Sequence, residues 1–416
     1  MLHKHLIFTE CSEFKFNLSK AQGDSLYDDQ GKKYLDFTSG WNVTNLGWNH
    51  PEIIEAGVKQ LKQNSYSPMW LLDPTQEEYA ANLTQALGAD LTAIGRANGG
   101  VEAVEQALKV TRAYTGKKKI VSFYEQFHGS TLNALALGYR PEWTESLMDK
   151  RDDIIQLEYP QVYRTDQSDE ELLVELENKL EEIFSQKEVA AVITEAGIIT
   201  GWGATYVAPE DFIKVIRRVT QKHNVLLILD EVGTGFSRTG SLFALHKFDL
   251  KPDIVTLAKG ISNGSAPIAA MVTTEEIAQK TWKETNLQST FGWNPVACAI
   301  ANKTLEIHQR EKVWQLAKDK GELARSFLTE KLVDNPHVGD IRGWGLEIGV
   351  DLVKDKETKD KNAELVEKVV VECGDKNLHL VCDHESNLQL MPNLLMAEAT
   401  LTEGLEILVS VLDELK

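Results

Sequence analysis

The chain has 416 residues, 42% hydrophobic and 26% charged, which is ordinary for a soluble globular enzyme with one large and one small domain. Its formal net charge of −19 argues against nucleic acid or an anionic membrane as a partner, since both need a basic face. The four cysteines, Cys11, Cys298, Cys373 and Cys382, form no C-x-x-C pair and no metal spacing, so they fit reduced cytosolic thiols better than a disulfide frame.

The N-terminal stretch MLHKHLIFTECSEFKF has too brief an apolar core for a signal peptide. No apolar run approaches the ~20 residues of a membrane span, so the expectation is a cytoplasmic protein. YDDQGKKYLDF predicts a hairpin, with Asp-Asp-Gln-Gly between alternating runs. Ile54, Val58 and Leu61, and then Tyr79, Leu83 and Leu87, recur at helical spacing and predict helices between Pro51 and Leu87. Asn98-Gly99-Gly100 precedes an amphipathic helix from Val101 to Tyr114, closed by Gly116. Glycines there permit close backbone approach, and the free N–H groups of a helix start make an anion site. An ordinary tight turn accounts for the same glycines.

Lys119–Tyr124 predicts a strand, followed by Phe127-His128-Gly129-Ser130. The acidic run SDEELLVELENKLEEIF predicts a solvated helix. Val189–Thr194 predicts a buried strand ending in Glu195, and Pro209–His223 a helix. Val225–Leu229 and Ile254–Leu257 are short apolar runs that predict strands buried on both faces of a parallel sheet. Asp230 follows the first and Lys259 comes just after the second. Ligands of an open α/β sheet sit beyond the carboxyl ends of its strands, so this carboxylate and this amine face one cavity. An amine there forms a Schiff base with an aldehyde, and a buried carboxylate keeps a pyridine nitrogen protonated. Pyridoxal phosphate requires both groups. Either charge alone is more often simply solvated. Further on, Ile268–Thr273 predicts a strand, Ala297–Glu311 a helix and Ala399–Lys416 an amphipathic helix. Gly343-Trp344-Gly345 is not a dinucleotide fingerprint, because Ile348 stands at the third glycine position.

DEVGTGFSRTG followed by TLAKGISNG resembles the class III (ω-amino acid type) aminotransferases of PLP fold type I, whose pattern is D-E-x-x-T-G-F-x-R-x-G and then a lysine in A-K-G-x-x-x-G. The resemblance covers about residues 25–416. It implies an α/β protein with a large, mainly parallel-sheet cofactor domain at 51–310. A smaller α+β domain would combine 1–50 with 311–416. It implies that Lys259 holds pyridoxal 5'-phosphate and shuttles the proton, and that Asp230 keeps the ring nitrogen protonated. Phe127 and Val232 would pack on the ring, Glu195 would lie beside it, and Gly99, Gly100 and Val101 would hold the phosphate. Thr290 would reach the phosphate of the partner subunit in a homodimer with shared active sites.

The departures from the family concern specificity. Its N-S-G-[TA]-E-A reads Asn98-Gly99-Gly100-Val101-Glu102-Ala103 here, so two hydroxyls are absent. Ser130 and Gln389 stand where carboxylate-binding members have arginines, which removes two bidentate clamps. Glu195 then lacks the arginine it pairs with in the family. Trp293 replaces a glycine and is expected to narrow the site; Trp41 either sits at the substrate entrance or packs in the core. The resemblance implies an ω-amine or amino acid donor and a 2-oxoacid acceptor such as pyruvate. The alternatives are an epimerase, aminomutase or decarboxylase on the same fold, or a 2-oxoglutarate-using acetylornithine/4-aminobutyrate type. In the last, Arg140, Arg164 or another arginine would fold into the pocket.

Overall fold

A computed structural model describes residues 14–88, 90–140, 144, 146–149 and 151–416. Cys11 and most of the stretch weighed as a signal peptide lie outside the described residues. Strands β1 (Leu18–Gln22), β2 (Ser25–Asp28) and β3 (Lys33–Asp36) are antiparallel neighbours. The hairpin between β2 and β3 is pinned by Asp28, whose Oδ1 accepts from the backbone N–H groups of Gln30 (3.0 Å) and Lys32 (2.8 Å).

A seven-stranded sheet carries the site. It contains β4 (Leu91–Ala97), β5 (Lys119–Phe123), β6 (Ile154–Leu157) and β7 (Val189–Glu195). After a two-stranded ribbon, β8 (Ile198–Ile199) and β9 (Tyr206–Val207), it adds β10 (Leu226–Asp230), β11 (Ile254–Leu257) and β12 (Ala269–Thr274). The strand order is β4-β12-β11-β10-β7-β5-β6. Strands β7, β10 and β11 are buried at every position, which is why they read as continuous apolar runs. The helix Phe212–His223 lays Phe212, Ile213, Ile216 and Val219 against this sheet. The acidic helix Asp169–Ser185 buries only Leu176, Leu180 and Phe184, and a Ser168–Glu171 capping box starts it.

Strand β12 is antiparallel to both neighbours, with Ala269 opposite Ala97 and Ala270 opposite Leu257. Residues entering β12 therefore emerge at the same edge as the carboxyl ends of the parallel strands. This reversal adds one more loop to the rim of the site.

A second four-stranded sheet joins β13 (Val338–Trp344), β14 (Glu347–Leu352), β17 (Asn387–Leu390) and β16 (Val381–Cys382), while β15 (Leu378–His379) pairs in parallel with β3. The two chain ends are stitched together here. Ser39 Oγ donates to the Met391 carbonyl (2.7 Å), and the N–H groups of Met391 and Leu394 donate to Phe37 and Asn45 (2.7 Å each). Leu35, Phe37, Val350, Leu388 and Leu405 share one apolar cluster in this region. The helix Glu398–Glu414 adds Leu401, Leu408 and Leu412 to it. Among the described residues no helix is long and apolar enough to cross a membrane.

Candidate active site

Five loops at one edge of the large sheet enclose a cavity of about 540 Å³. They are Asn98–Val101 after β4, Phe127–Ser130 after β5, Asp230 with Val232 after β10, Ala258–Lys259 after β11, and 265–268 before β12.

One end of the cavity is built for an anion. The helix Gly100–Thr115 starts from Gly99 with no side-chain cap, so its first N–H groups are left to a ligand. Glu102 turns back instead to accept from the Asn98 backbone N–H (2.7 Å) and Nδ2 (3.1 Å). A Cβ at Gly99 would meet nothing within 4 Å, whereas one at Gly100 would stand 3.1 Å from Val232 Cγ1. At Gly129 (φ +127°) a Cβ would lie 2.4 Å from Val101 Cγ2, so only glycine fits against that side chain.

At the other end Asp230, 1% exposed, terminates β10. Its Oδ1 accepts from the Val232 N–H and from Thr256 Oγ1, each at 3.0 Å, and His128 Nδ1 donates to Oδ2 at 2.6 Å. Three donors satisfy the buried carboxylate. His128 in turn is oriented by Gln126, whose Oε1 faces its Nε2 at 3.2 Å and whose Nε2 donates to Thr194 (2.8 Å). Sequence reasoning gave His128 and Thr256 no role. The only signal for the histidine was its place beside Phe127 past the end of β5.

Lys259 opens a short 3₁₀ turn, Lys259–Ser262, with φ +48°. That left-handed conformation costs a non-glycine residue ~1–2 kcal/mol, and here the strain falls on a side chain that lines the cavity. Burial pulls the lysine pKa below its ordinary range, opposed by the charges of Glu195, Asp230 and Glu347. A lowered value favours the neutral amine, the form that acts as nucleophile and base.

Glu195 lies opposite Asp230 in the β7–β10 ladder. It accepts from Thr200 N (2.9 Å) and Thr200 Oγ1 (2.8 Å), and among the described residues no cation lies in hydrogen-bond range. Burial first, and the Asp230 charge second, push its pKa up to about 7. A Cβ at Gly233 would sit 1.9 Å from Thr200 Oγ1 and 3.5 Å from Lys259 Nζ, so a side chain there would displace the hydroxyl and crowd the amine.

The cavity thus brings together Gly99, Gly100, Val101, Phe127, Ser130, Asp230, Val232 and Lys259. Glu195 stands behind the wall. Phe127 is held edge-on by Trp202 at 5.0 Å. Trp41, Gln389 and Thr290 are not in the wall. Trp41 is half-buried at φ +69° with an unpartnered indole N–H, Gln389 is wholly buried, and Thr290 is exposed. Trp293 corrects the sequence expectation: it is buried in the core, its Nε1 donates to the Ala269 carbonyl (2.7 Å) and its ring packs 4.9 Å from Tyr79. It adopts φ +60°, where glycine would be unstrained, and these contacts hold it there.

An uncapped helix start, an amine and a hydrogen-bonded carboxylate meet the three polar features of pyridoxal phosphate: phosphate, aldehyde and ring nitrogen. On that donor set the residues fit the group. Residues 9–412 match the family model for class-III aminotransferases. The acetylornithine aminotransferase of Haemophilus ducreyi is 32% identical, over 97% of this chain and 95% of its own. An (S)-enantioselective omega-transaminase from Thermomicrobium roseum superposes with a TM-score of 0.90 at 31% identity, covering 97% of this chain and 93% of that one. The taurine:2-oxoglutarate aminotransferase from Bifidobacterium kashiwanohense, solved with PLP and glutamate, gives a TM-score of 0.92 at 27% identity, covering 100% and 96%.

Proposed function

This chain belongs to the class-III aminotransferase family, and from that premise we propose that it moves an amino group from an ω-amine or ω-amino acid to a small 2-oxoacid such as pyruvate. Transamination between an amine and a 2-oxoacid, and dependence on pyridoxal phosphate, come with the family. When bound, the cofactor supplies an electron sink for the carbon that carries the substrate amine. The rest falls to this chain. Backbone N–H groups at Gly100 and Val101 hold the phosphate, and Val232 and Phe127 confine the ring. Asp230 keeps the proton on the ring nitrogen, while His128 and Thr256 keep Asp230 in place. Lys259 Nζ would hold the cofactor through its aldehyde carbon, and as a free amine it would take the proton from the amine-bearing carbon and return it to the carbon on the far side of the amine nitrogen.

One observation carries the acceptor: among the described residues no arginine lines the cavity. Arg140 is engaged with Glu125 (2.9 Å) and Glu158 (3.1 Å), and Arg164 forks onto Asp351. A bidentate arginine–carboxylate contact contributes ~1.5–3 kcal/mol, and 2-oxoglutarate has two carboxylates to accommodate. Steady-state kinetics with one amine and each acceptor in turn should give pyruvate a kcat/KM at least ~10-fold above that of 2-oxoglutarate, the equivalent of one such contact. The reverse order would sink this assignment.

The same reading includes a homodimer with shared sites. Trp70 (79% exposed), Leu72 (90%) and Phe291 (65%) are large apolar side chains left open to solvent, and the Phe291 ring packs against Tyr66. Thr290, next to Phe291 in the chain, is exposed as well, and its neighbour Ser289 accepts from Asn98 Nδ2 at the start of the anion site (2.8 Å). Exposed apolar side chains beside the residue expected to reach the partner's phosphate support burial against a second copy. Inactive Lys259→Ala and Thr290→Val chains, mixed as verified heterodimers, should recover part of the activity; no recovery would remove the shared site. The assignment of a cofactor lobe to 51–310 and a smaller lobe to 1–50 and 311–416 is supported by the separate sheets at the joined chain ends. A cytoplasmic location is supported by the thiols of Cys298 and Cys373, both buried and outside any disulfide.

A further inference from the structure

Between β8 and β9 the chain turns through residues 200–205, and the tip of that turn presses on the cavity wall from behind. Trp202 is half-buried there, with Gly201 on one side and Gly203 (φ +79°) on the other. Both glycines are forced by their surroundings. A Cβ on Gly201 would stand 2.6 Å from Phe127 Cβ, and one on Gly203 only 2.0 Å from the Cys382 carbonyl oxygen. All the bulk of the tip is thus gathered in one side chain. Trp202 itself adopts φ +64°, a left-handed conformation that costs a residue with a Cβ ~1–2 kcal/mol. Glycine would relieve that strain, so the indole is held there by what it touches.

What it touches is the segment leaving β5. Its ring meets Phe127 nearly at right angles (5.0 Å between centroids, 85°), and Tyr139 in the same manner (4.1 Å, 74°). Its Nε1 points at the Gln126 carbonyl oxygen from 3.5 Å. Two parts of the site stand on these contacts. Phe127 lines the cavity, and the Gln126 side chain orients His128 on Asp230. A perpendicular pair of rings resists rotation of either, so the indole fixes the plane of Phe127. The turn is bonded in its own right to the second sheet. The Thr200 carbonyl accepts from Gln389 Nε2 (3.0 Å), the Thr205 N–H donates to Asn387 Oδ1 (3.0 Å), and the Thr205 carbonyl accepts from Arg342 Nε (2.6 Å). Gln389 and Asn387 belong to β17, Arg342 to β13 and Cys382 to β16.

We propose that Trp202 is a positioning residue for the cofactor: wedged between the second sheet and the loop after β5, it fixes the plane that Phe127 presents to the pyridine ring. This deepens the transaminase reading and rests on it. Trp202 is not in the cavity wall, so it acts through Phe127 and not on the substrate.

The test reads the bound cofactor before it reads turnover. Pyridoxal phosphate has no chirality of its own, so the visible circular dichroism of the loaded protein reports how the chain holds the ring. Trp202→Ala should weaken that band for each cofactor bound. It should also raise the Kd of the apoprotein for pyridoxal phosphate by about 2- to 10-fold, the scale of one aromatic pair. Trp202→Phe restores a ring at the tip and should recover most of both. In turnover with pyruvate, Trp202→Ala should lower kcat and leave KM for the amine unchanged. Gly203→Ala keeps the indole but pushes the turn off the Cys382 carbonyl, and should weaken the band as Trp202→Ala does. An unchanged band and Kd in Trp202→Ala overturn the proposal, even if the melting temperature of the apoprotein falls. So do a Trp202→Phe variant no better than Trp202→Ala, a Gly203→Ala variant with the native band, and a raised KM with native kcat. Should Trp202→Ala fail to fold, Trp202→Leu takes its place with the same expectations, as apolar bulk without a ring. A native protein that turns over no amine with pyruvate would fell the functional reading instead, and the circular dichroism and Kd would still decide the role of Trp202.

Discussion

Lys259→Ala should abolish the yellow absorbance near ~410–430 nm that a lysine-bound pyridoxal group gives, and with it transamination. The loss combines two functions of one side chain. Without the amine, the aldehyde has no covalent anchor at the end of β11, and no base stands beside the amine-bearing carbon. Proton transfer by a positioned side chain alone contributes roughly 10²- to 10⁴-fold, so the residual rate should fall by at least that. The cofactor should remain bound non-covalently, because the uncapped helix start and the Asp230 carboxylate are untouched. Alanine at φ +48° has no polar group to gain from the strained turn, so thermal stability should not fall below that of the native apoprotein. Borohydride reduction followed by peptide mapping checks the assignment. A pyridoxyl group found on a lysine other than Lys259 would overturn it.

The second large effect is expected at Asp230. Asp230→Asn preserves the outline, and its Oδ1 can still accept from Val232 and Thr256. What changes is Oδ2, which becomes an N–H₂ facing the donor His128 at 2.6 Å. The variant therefore removes the charge that holds the ring proton and sets two donors against each other. Removing one preorganised electrostatic contact from a dry site costs ~10²- to 10³-fold in kcat, and transamination should drop by that much or more. Visible spectra of the loaded variant should at the same time shift toward the unprotonated ring. A kcat within a few-fold of native, with an unshifted spectrum, would mean that the carboxylate only supports the fold.

Asp230 and Lys259 were legible because a short apolar run closed by one charge is what a strand buried on both faces looks like in sequence. The anion site was legible for a related reason: glycines ahead of an amphipathic run announce a helix start that nothing caps. Other parts of the site carried no such local mark. The reversal of β12 brings 265–268 to the rim, yet an apolar run reads the same in either direction. Trp293 looked like a group in the site because a bulky residue replaced glycine there. Its burial depends on the Ala269 carbonyl and Tyr79, which no spacing rule connects to it. Glu347 meets Asn42 across 305 positions of sequence. Gln389 drew notice as a missing arginine, but the acid that holds it comes from a different strand and was invisible until β14 and β17 paired.

The stitching of the two chain ends also sets a timetable for the protein's birth. Ser39 and its acceptor at Met391 are 352 residues apart. A ribosome adding ~5–20 residues per second needs roughly 20 to 70 s to cover that interval. For most of it β3 and Phe37 have been made while β15 and Met391, which will pair with them, are not yet synthesised. The large sheet, complete by Thr274, has its strands in hand much earlier. The N-terminal segment thus spends most of translation as an unmatched, partly apolar edge, the last part of it beside a sheet whose strands have all been made, the condition in which nascent chains engage chaperones or one another.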